Sequence, residues 1–145
     1  MLARLTLLAL LSGFIPSTSV AHPTPADDPF VVEYYYKVRW GHQQEFLALF
    51  TKNHLPILEK EQAMGKILEI RAMAPRYHAE EASRWDYRVT IVFATVAAAY
   101  SPGLSEAEMR ALFPDRERFM KEEQRRFELL EAHWDVPLAP VALRP

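Results

Sequence analysis

"FVVEYYYKVRW", residues 30–40, decides the fold. Its side chains alternate, with Phe30, Val32, Tyr34, Tyr36, Val38 and Trp40 on one face and Glu33, Tyr35, Lys37 and Arg39 on the other. A period of two among β-branched and aromatic residues marks a half-buried strand. Its apolar face needs a cover, and the next segment supplies one. After Gly41, residues Phe46, Leu49, Phe50, Ile57 and Leu58 recur at helical spacing as far as Met64 and Gly65. Pro56 lies inside that helix, so a kink is expected there, or a restart with Asn53 as N-cap.

Two more strands follow. "KILEIRAMAP", residues 66–75, sets Leu68, Ile70, Ala72 and Ala74 against Glu69 and Arg71. "DYRVTIVFAT", residues 86–95, sets Tyr87, Val89, Ile91 and Phe93 against Asp86, Arg88 and Thr90. Beyond Pro102 and Gly103, Ser105 with Glu108 three residues on is a capping-box signature and predicts a short helix. Pro114 suits the first turn of a longer helix to about Trp134, with Phe119, Phe127, Leu130 and Trp134 as its buried stripe. "DVPLAPVALRP", residues 135–145, fits an edge strand or an extended tail. Strand, helix, strand, strand, helices and a last strand or tail define an α+β fold, a ferredoxin-like sandwich with a mostly antiparallel sheet and helices on one face.

The domain is expected to fill residues 30–145. Ahead of it, Arg4, an apolar run from Leu5 to Ile15, Pro16 and the small residues Ser19-Val20-Ala21 carry the marks of a secretory signal peptide cleaved after Ala21. "HPTPADDP", residues 22–29, reads as a proline-rich leader. The apolar run is shorter than the roughly 20 residues that span a bilayer. The mature chain is therefore expected to be exported without a membrane anchor, and to be periplasmic if bacterial or otherwise secreted. With no cysteine it has neither a disulfide nor a thiol for lipid attachment. An exported domain of this size must then take its stability from its core, and often from an oligomer interface as well.

The 17 basic and 19 acidic residues nearly cancel. No basic block is present, which disfavours nucleic acid and anionic membrane surfaces as partners. The four glycines form no phosphate-binding loop, no serine has the context of a nucleophile, and no histidine or carboxylate group has zinc spacing. No cofactor is expected. His22 would become the mature N-terminus and could chelate copper through its amine and ring, although the proline-rich leader is a poor rigid support. His42 and His133 read as solvated residues near helix ends.

Two clusters carry candidate chemistry. Arg76, Tyr77 and His78 follow the second strand, while Trp85, Asp86 and Arg88 open the third, so one connection brings them together. Arg76, His78, Asp86 and Arg88 could together hold a carboxylate or oxyanion against a wall of Tyr77 and Trp85. The alternative is an ion-paired, aromatic-capped connection. His54 stands in register with Phe50 and Leu58, at the edge of the helix face that meets the sheet. There it can act as a base, hold a haem iron or bind a small molecule, or it can be a packed histidine bonded to a backbone carbonyl.

The element order, with "YYYKVRWGHQQEFLALFTKNHLPIL" and "WDYRVTIVF", resembles the dimeric α+β barrel superfamily over residues 30 to 143. That group includes antibiotic-biosynthesis-monooxygenase-like, stress-responsive A/B barrel and NIPSNAP-like proteins. The resemblance implies a homodimer whose two sheets face each other, with a small-molecule cleft beside the sheet. It implies ligand contacts from Tyr36, and from Arg76 or His78, near a His54 that serves as base or orienting donor. It also implies three alternatives for function: a binder of a small apolar or aromatic, even anionic, ligand; a cofactor-independent monooxygenase or isomerase; or an interaction dimer without ligand. In such a dimer Lys37, Arg39, Arg71 and Arg88 would face Glu33, Glu69 and Asp86, leaving one positive charge over by this count. In a monomer the same face would be solvated.

Overall fold

The computed structural model describes residues 28–77 and 79–143. The signal-peptide segment, His22 with most of the leader, and His78 lie outside the described residues. β1, Phe30–Val38, is the strand with the cleanest alternation and occupies an interior position in the sheet. It pairs antiparallel with β3, Tyr87–Phe93, on one side and with β4, Leu130–Leu138, on the other. β2, Ile67–Met73, pairs antiparallel with the outer side of β3. The order β2-β3-β1-β4 places β3 between β1 and β2, which is the split βαβ arrangement of a ferredoxin-like fold.

The first helical segment is broken, but not in the way expected. α1, Gln43–Leu49, runs into a π-helical turn, Phe50–His54, and then into α2, Leu55–Ala63. Pro56 has no N–H, and its ring would crowd the carbonyl four residues back. Widening the preceding turn relieves this: the Leu55 N–H reaches Phe50 O, and Pro56 enters in the first turn of α2, where its missing donor is not needed. Asn53 is therefore not an N-cap. It is 2% exposed, and its Nδ2 donates to Glu122 Oε2 at 3.0 Å.

The second half holds α3, Val96–Ala99, capped by the Thr95 side chain, and α4, Glu106–Leu112, with the expected Ser105–Glu108 capping box. α5, Arg116–Glu128, follows with Asp115 as N-cap, so Pro114 lies just before the cap rather than in the first turn. α5 ends six residues short of Trp134. Phe127 is 55% exposed and Trp134, 38% exposed, belongs to β4, so neither joins a buried stripe. The deeply buried residue is Leu129, whose carbonyl accepts the Arg39 N–H at 2.8 Å. Leu130 and Trp134 are four apart, a spacing that satisfies helix and strand periods alike; pairing with β1 decides for the strand. A second correction concerns β2. Ile67 faces Phe93 and Glu69 faces Val92, so Leu68 is an extra residue, 53% exposed, and Ile67 takes its place in the core. Among the described residues no helix is long and apolar enough to cross a membrane.

Arg84 fastens the loop between β2 and β3 to the rest of the sheet. It is 3% exposed. Nη1 donates to Val38 O at 3.0 Å and to the Asp86 carboxylate, Nε to Glu81 Oε2 at 3.1 Å, and Nη2 to Glu131 Oε2 at 3.2 Å. The Trp40 ring lies 4.3 Å from the guanidinium carbon. Removing one partner of a buried ionic cluster leaves the others uncompensated, at a cost of about 3–5 kcal/mol. Arg84→Met is expected to lose about that much stability in urea denaturation; a loss under about 1 kcal/mol would mean that the cluster is solvated in solution.

Candidate functional site

Where the broken helix crosses β1 and β3, two cavities remain under it. The inner one, about 230 Å³, is walled by Tyr34, His54, Glu61, Ile91 and Ala99, among others. The middle one, about 100 Å³, is walled by Phe46, Phe50, Leu55, Ile70, Ala72 and Tyr87, among others. Tyr36 and Val89 line both, so the two are neighbours across those side chains. Tyr36 reaches this position because alternation points it under the helix. It is held between Phe46 and the His133 ring, with centroids 5.2 and 4.4 Å away. His54 closes the π turn, its ring inclined at 60° to Phe50 at 5.1 Å.

The two tyrosines and His54 in this cleft are held in their neutral forms. Burial, aided by the nearby Arg126 charge, lowers the His54 pKa from 6.5 to about 4. Burial pushes the Tyr34 hydroxyl up to about 12 and raises Tyr36 as well. Burial raises Glu61, opposed by Lys66. Among the described residues, the Tyr34 and Tyr36 hydroxyls and the His54 ring have no hydrogen-bond partner. Two phenols and a neutral imidazole around an apolar space can fix the orientation of a small molecule. No cluster of three metal-ligating side chains is present among the described residues.

The residues singled out by sequence fall into separate places. Tyr36 and His54 meet in the cleft. Arg76, Tyr77, Trp85 and Asp86 line a surface notch of about 240 Å³ with Trp40, Gln43, Arg84 and Tyr87. Asp86 is an anchor there, accepting the Val38 N–H at 2.8 Å and the Arg84 guanidinium. Arg88 is not in the notch; it lies on the helix-free face of the sheet, 3.2 Å from Glu33. Tyr34 and Glu61 were missed, although a signal existed: Tyr34 shares the strand face of Tyr36, and Glu61 lies seven residues beyond His54 on the same helical side. Trp40 leaves its expected face because β1 stops at Val38. His133 is not at a helix end but in mid-strand, with Nδ1 2.9 Å from Tyr35 O.

The charge count on the helix-free face also changes. Lys37 pairs with Glu81 at 2.7 Å and Glu131 at 3.4 Å, neither of which was counted, and Arg71 pairs with Glu69. Arg39 Nε donates to Glu128 O at 2.9 Å, and Asp86 is taken by Arg84. No surplus charge therefore waits for an anion here. β4 instead adds an apolar row, with Trp134 opposite Tyr35, Val136 opposite Glu33 and Leu138 opposite Val31. The Tyr35 and Trp134 rings stack at 5.3 Å.

The lowered pKa of His54 has a measurable sign. Between about pH 4 and 6.5 the unfolded chain holds a proton at this position that the folded chain does not. Stability is therefore complete above pH 6.5 and falls as pH drops toward 4, by on the order of 3 kcal/mol for a shift of this size. Urea denaturation at pH 4.5 and 7.5 is expected to show this slope, and His54→Gln should flatten it.

No protein-family model matches the chain, and no curated protein matches it. Solved structures do. A dimeric ferredoxin-like protein from an uncultured marine organism aligns over 84% of this chain and 97% of its own, with a TM-score of 0.52 and 5% identity. A NIPSNAP family protein from Agrobacterium tumefaciens covers 81% and 98%, at 0.48 and 19% identity. A candidate antibiotic biosynthesis monooxygenase from Bacteroides thetaiotaomicron covers 81% and 93%, at 0.48 and 13% identity. At such identities the likeness is one of fold, and the chain has the ferredoxin-like α+β fold.

Proposed function

We propose that this chain binds a small, largely apolar or aromatic molecule in the cleft between the π-broken helix and the sheet, as an exported homodimer. The observation that carries the reading is the convergence of Tyr34, Tyr36 and His54, without hydrogen-bond partners among the described residues, on an apolar space. A polar group that faces an apolar space without a protein partner is available to a ligand, and a hydrogen bond made to it contributes about 0.5–1.5 kcal/mol. A histidine serving only as packing would be expected to bond to a backbone carbonyl. With a pKa near 4, His54 is a weak base at neutral pH. Its part is to orient a ligand by hydrogen bonding rather than to abstract a proton.

The dimer reading draws on the helix-free face, where Trp134 and Leu138 are exposed beside the partly buried Val31, Tyr35 and Val136. Uncovered apolar patches of this kind mark association surfaces. The ferredoxin-like protein from the uncultured marine organism, similar in fold, is itself dimeric. Export draws on the signal-peptide features of residues 1–21.

Titration with the neutral dye N-phenyl-1-naphthylamine tests the cleft. Saturable fluorescence enhancement is expected, and Ala99→Trp, which fills the inner cavity, should weaken it at least about tenfold, equivalent to about 1.4 kcal/mol, with the fold intact by circular dichroism. Failure of the wild-type protein to bind the dye would overturn the reading. In sedimentation velocity, Val136→Glu should convert a wild-type dimer to monomer; a monomeric wild type at micromolar concentration would remove the dimer.

A further inference from the structure

One residue, Tyr87, is common to the walls of the notch and of the middle cavity. Its ring stacks on Phe46 with centroids 5.8 Å apart, and its hydroxyl donates to Gln43 O at 3.0 Å. The middle cavity in turn shares Tyr36 and Val89 with the inner one. Three spaces therefore lie in file along β3, whose residues Tyr87, Val89, Ile91 and Phe93 succeed one another on the same wall. Over those residues a strand advances about 20 Å.

Charge is graded along the file. No charged side chain lines the middle cavity, and Glu61 is the one carboxylate of the inner cavity. Guanidinium groups line the notch alone, from Arg76 and Arg84. Arg84 is committed to Glu81, Asp86 and Glu131, whereas Arg76 is exposed and stands outside that cluster. Trp40, Tyr77 and Trp85 supply the apolar walls of this outer space. An anionic group carried into the cleft would lose its hydration with no cation in either cavity wall to offset the loss. At the notch the same group keeps its water and gains Arg76.

We propose that notch and cleft are one channel for an elongated amphiphile, with its apolar body along β3, its carboxylate outside at Arg76, and Tyr87 as a partition that swings aside. The proposal rests on the cleft reading and adds the ligand's class and orientation. Opening the partition breaks one hydrogen bond to a backbone carbonyl and one ring contact, and no ion pair. Access through the notch then depends on a side chain rather than on unfolding of the helix.

Competition against N-phenyl-1-naphthylamine with octanoate, decanoate and 1-decanol tests it. Decanoate should displace the dye better than octanoate, as expected for a body that fills successive spaces. Arg76→Gln, at an exposed position, should weaken decanoate about two- to fivefold, the scale of an exposed ion pair, and leave 1-decanol unchanged. Tyr87→Ala should speed dye association in stopped-flow mixing. Dye binding with decanoate indifferent to Arg76→Gln, or with association unchanged in Tyr87→Ala, would overturn the channel and leave the cleft standing. No dye binding by the wild-type protein would remove both.

Discussion

Proline 56 cannot donate a hydrogen bond to the helix that contains it, and much of the molecule is arranged around that fact. A kink would have splayed the helix from the sheet. The turn ahead of the proline widens instead, and the helix continues over β1 and β3. Within that turn Asn53 faces Glu122 of α5, and Lys52 joins it on the same carboxylate. At the end of the turn His54 lines the cleft. One missing N–H thus accounts for the docking of a second helix and for the polar edge of the cavity. π turns are often found where a helix serves a functional site, and this one has a local cause as well.

Charge is distributed so that Tyr34, Tyr36 and His54 stay neutral while the surroundings of the cleft are heavily paired. Arg84 gathers three carboxylates at one end of the sheet, and Arg126 is clasped by Glu123 at 2.9 and 2.7 Å near Phe50. The buried cations are satisfied by neighbours on their own loop or helix and by β4. His54 and the tyrosines are left without charged partners in contact, and burial, helped at His54 by the Arg126 charge, is the main cause that keeps them in their uncharged forms. The polar groups lining the inner cavity are therefore two hydroxyls and an imidazole, with Glu61 beside them.

Much of this was legible in the sequence, and the misses have physical reasons. The alternation of β1 and β3, the capping box at Ser105 and Glu108, and the placement of Tyr36 and His54 toward one cleft all follow from local periodicity. Strand order then follows from the split βαβ pattern. Residues 127–134 were misread because Leu130 and Trp134 fit two periods, and only pairing with β1 distinguishes them. The bulge at Leu68 was invisible because an extra residue leaves the composition of a strand unchanged. Arg84 gave no signal in its polar loop, since its burial depends on Glu131 and the Val38 carbonyl, both more than forty residues away. The clusters of the second connection divided for the same reason: Arg88 follows the pleat to the opposite face, while Arg76 and Trp85 remain with the loop.

The two outer strands are interrupted in ways that bear on how copies of the chain meet. Leu68 throws β2 out of register beside Ile67, and β4 carries Pro137 opposite Val32, with a register shift opposite Lys37 and Val38. A proline lacks the donor that a fifth strand would require, and a bulge twists an edge away from a straight neighbour. Neither margin of the sheet offers a regular ladder to an incoming chain. Runaway edge-to-edge growth, the ordinary hazard of an uncapped sheet, is disfavoured at both edges by these interruptions.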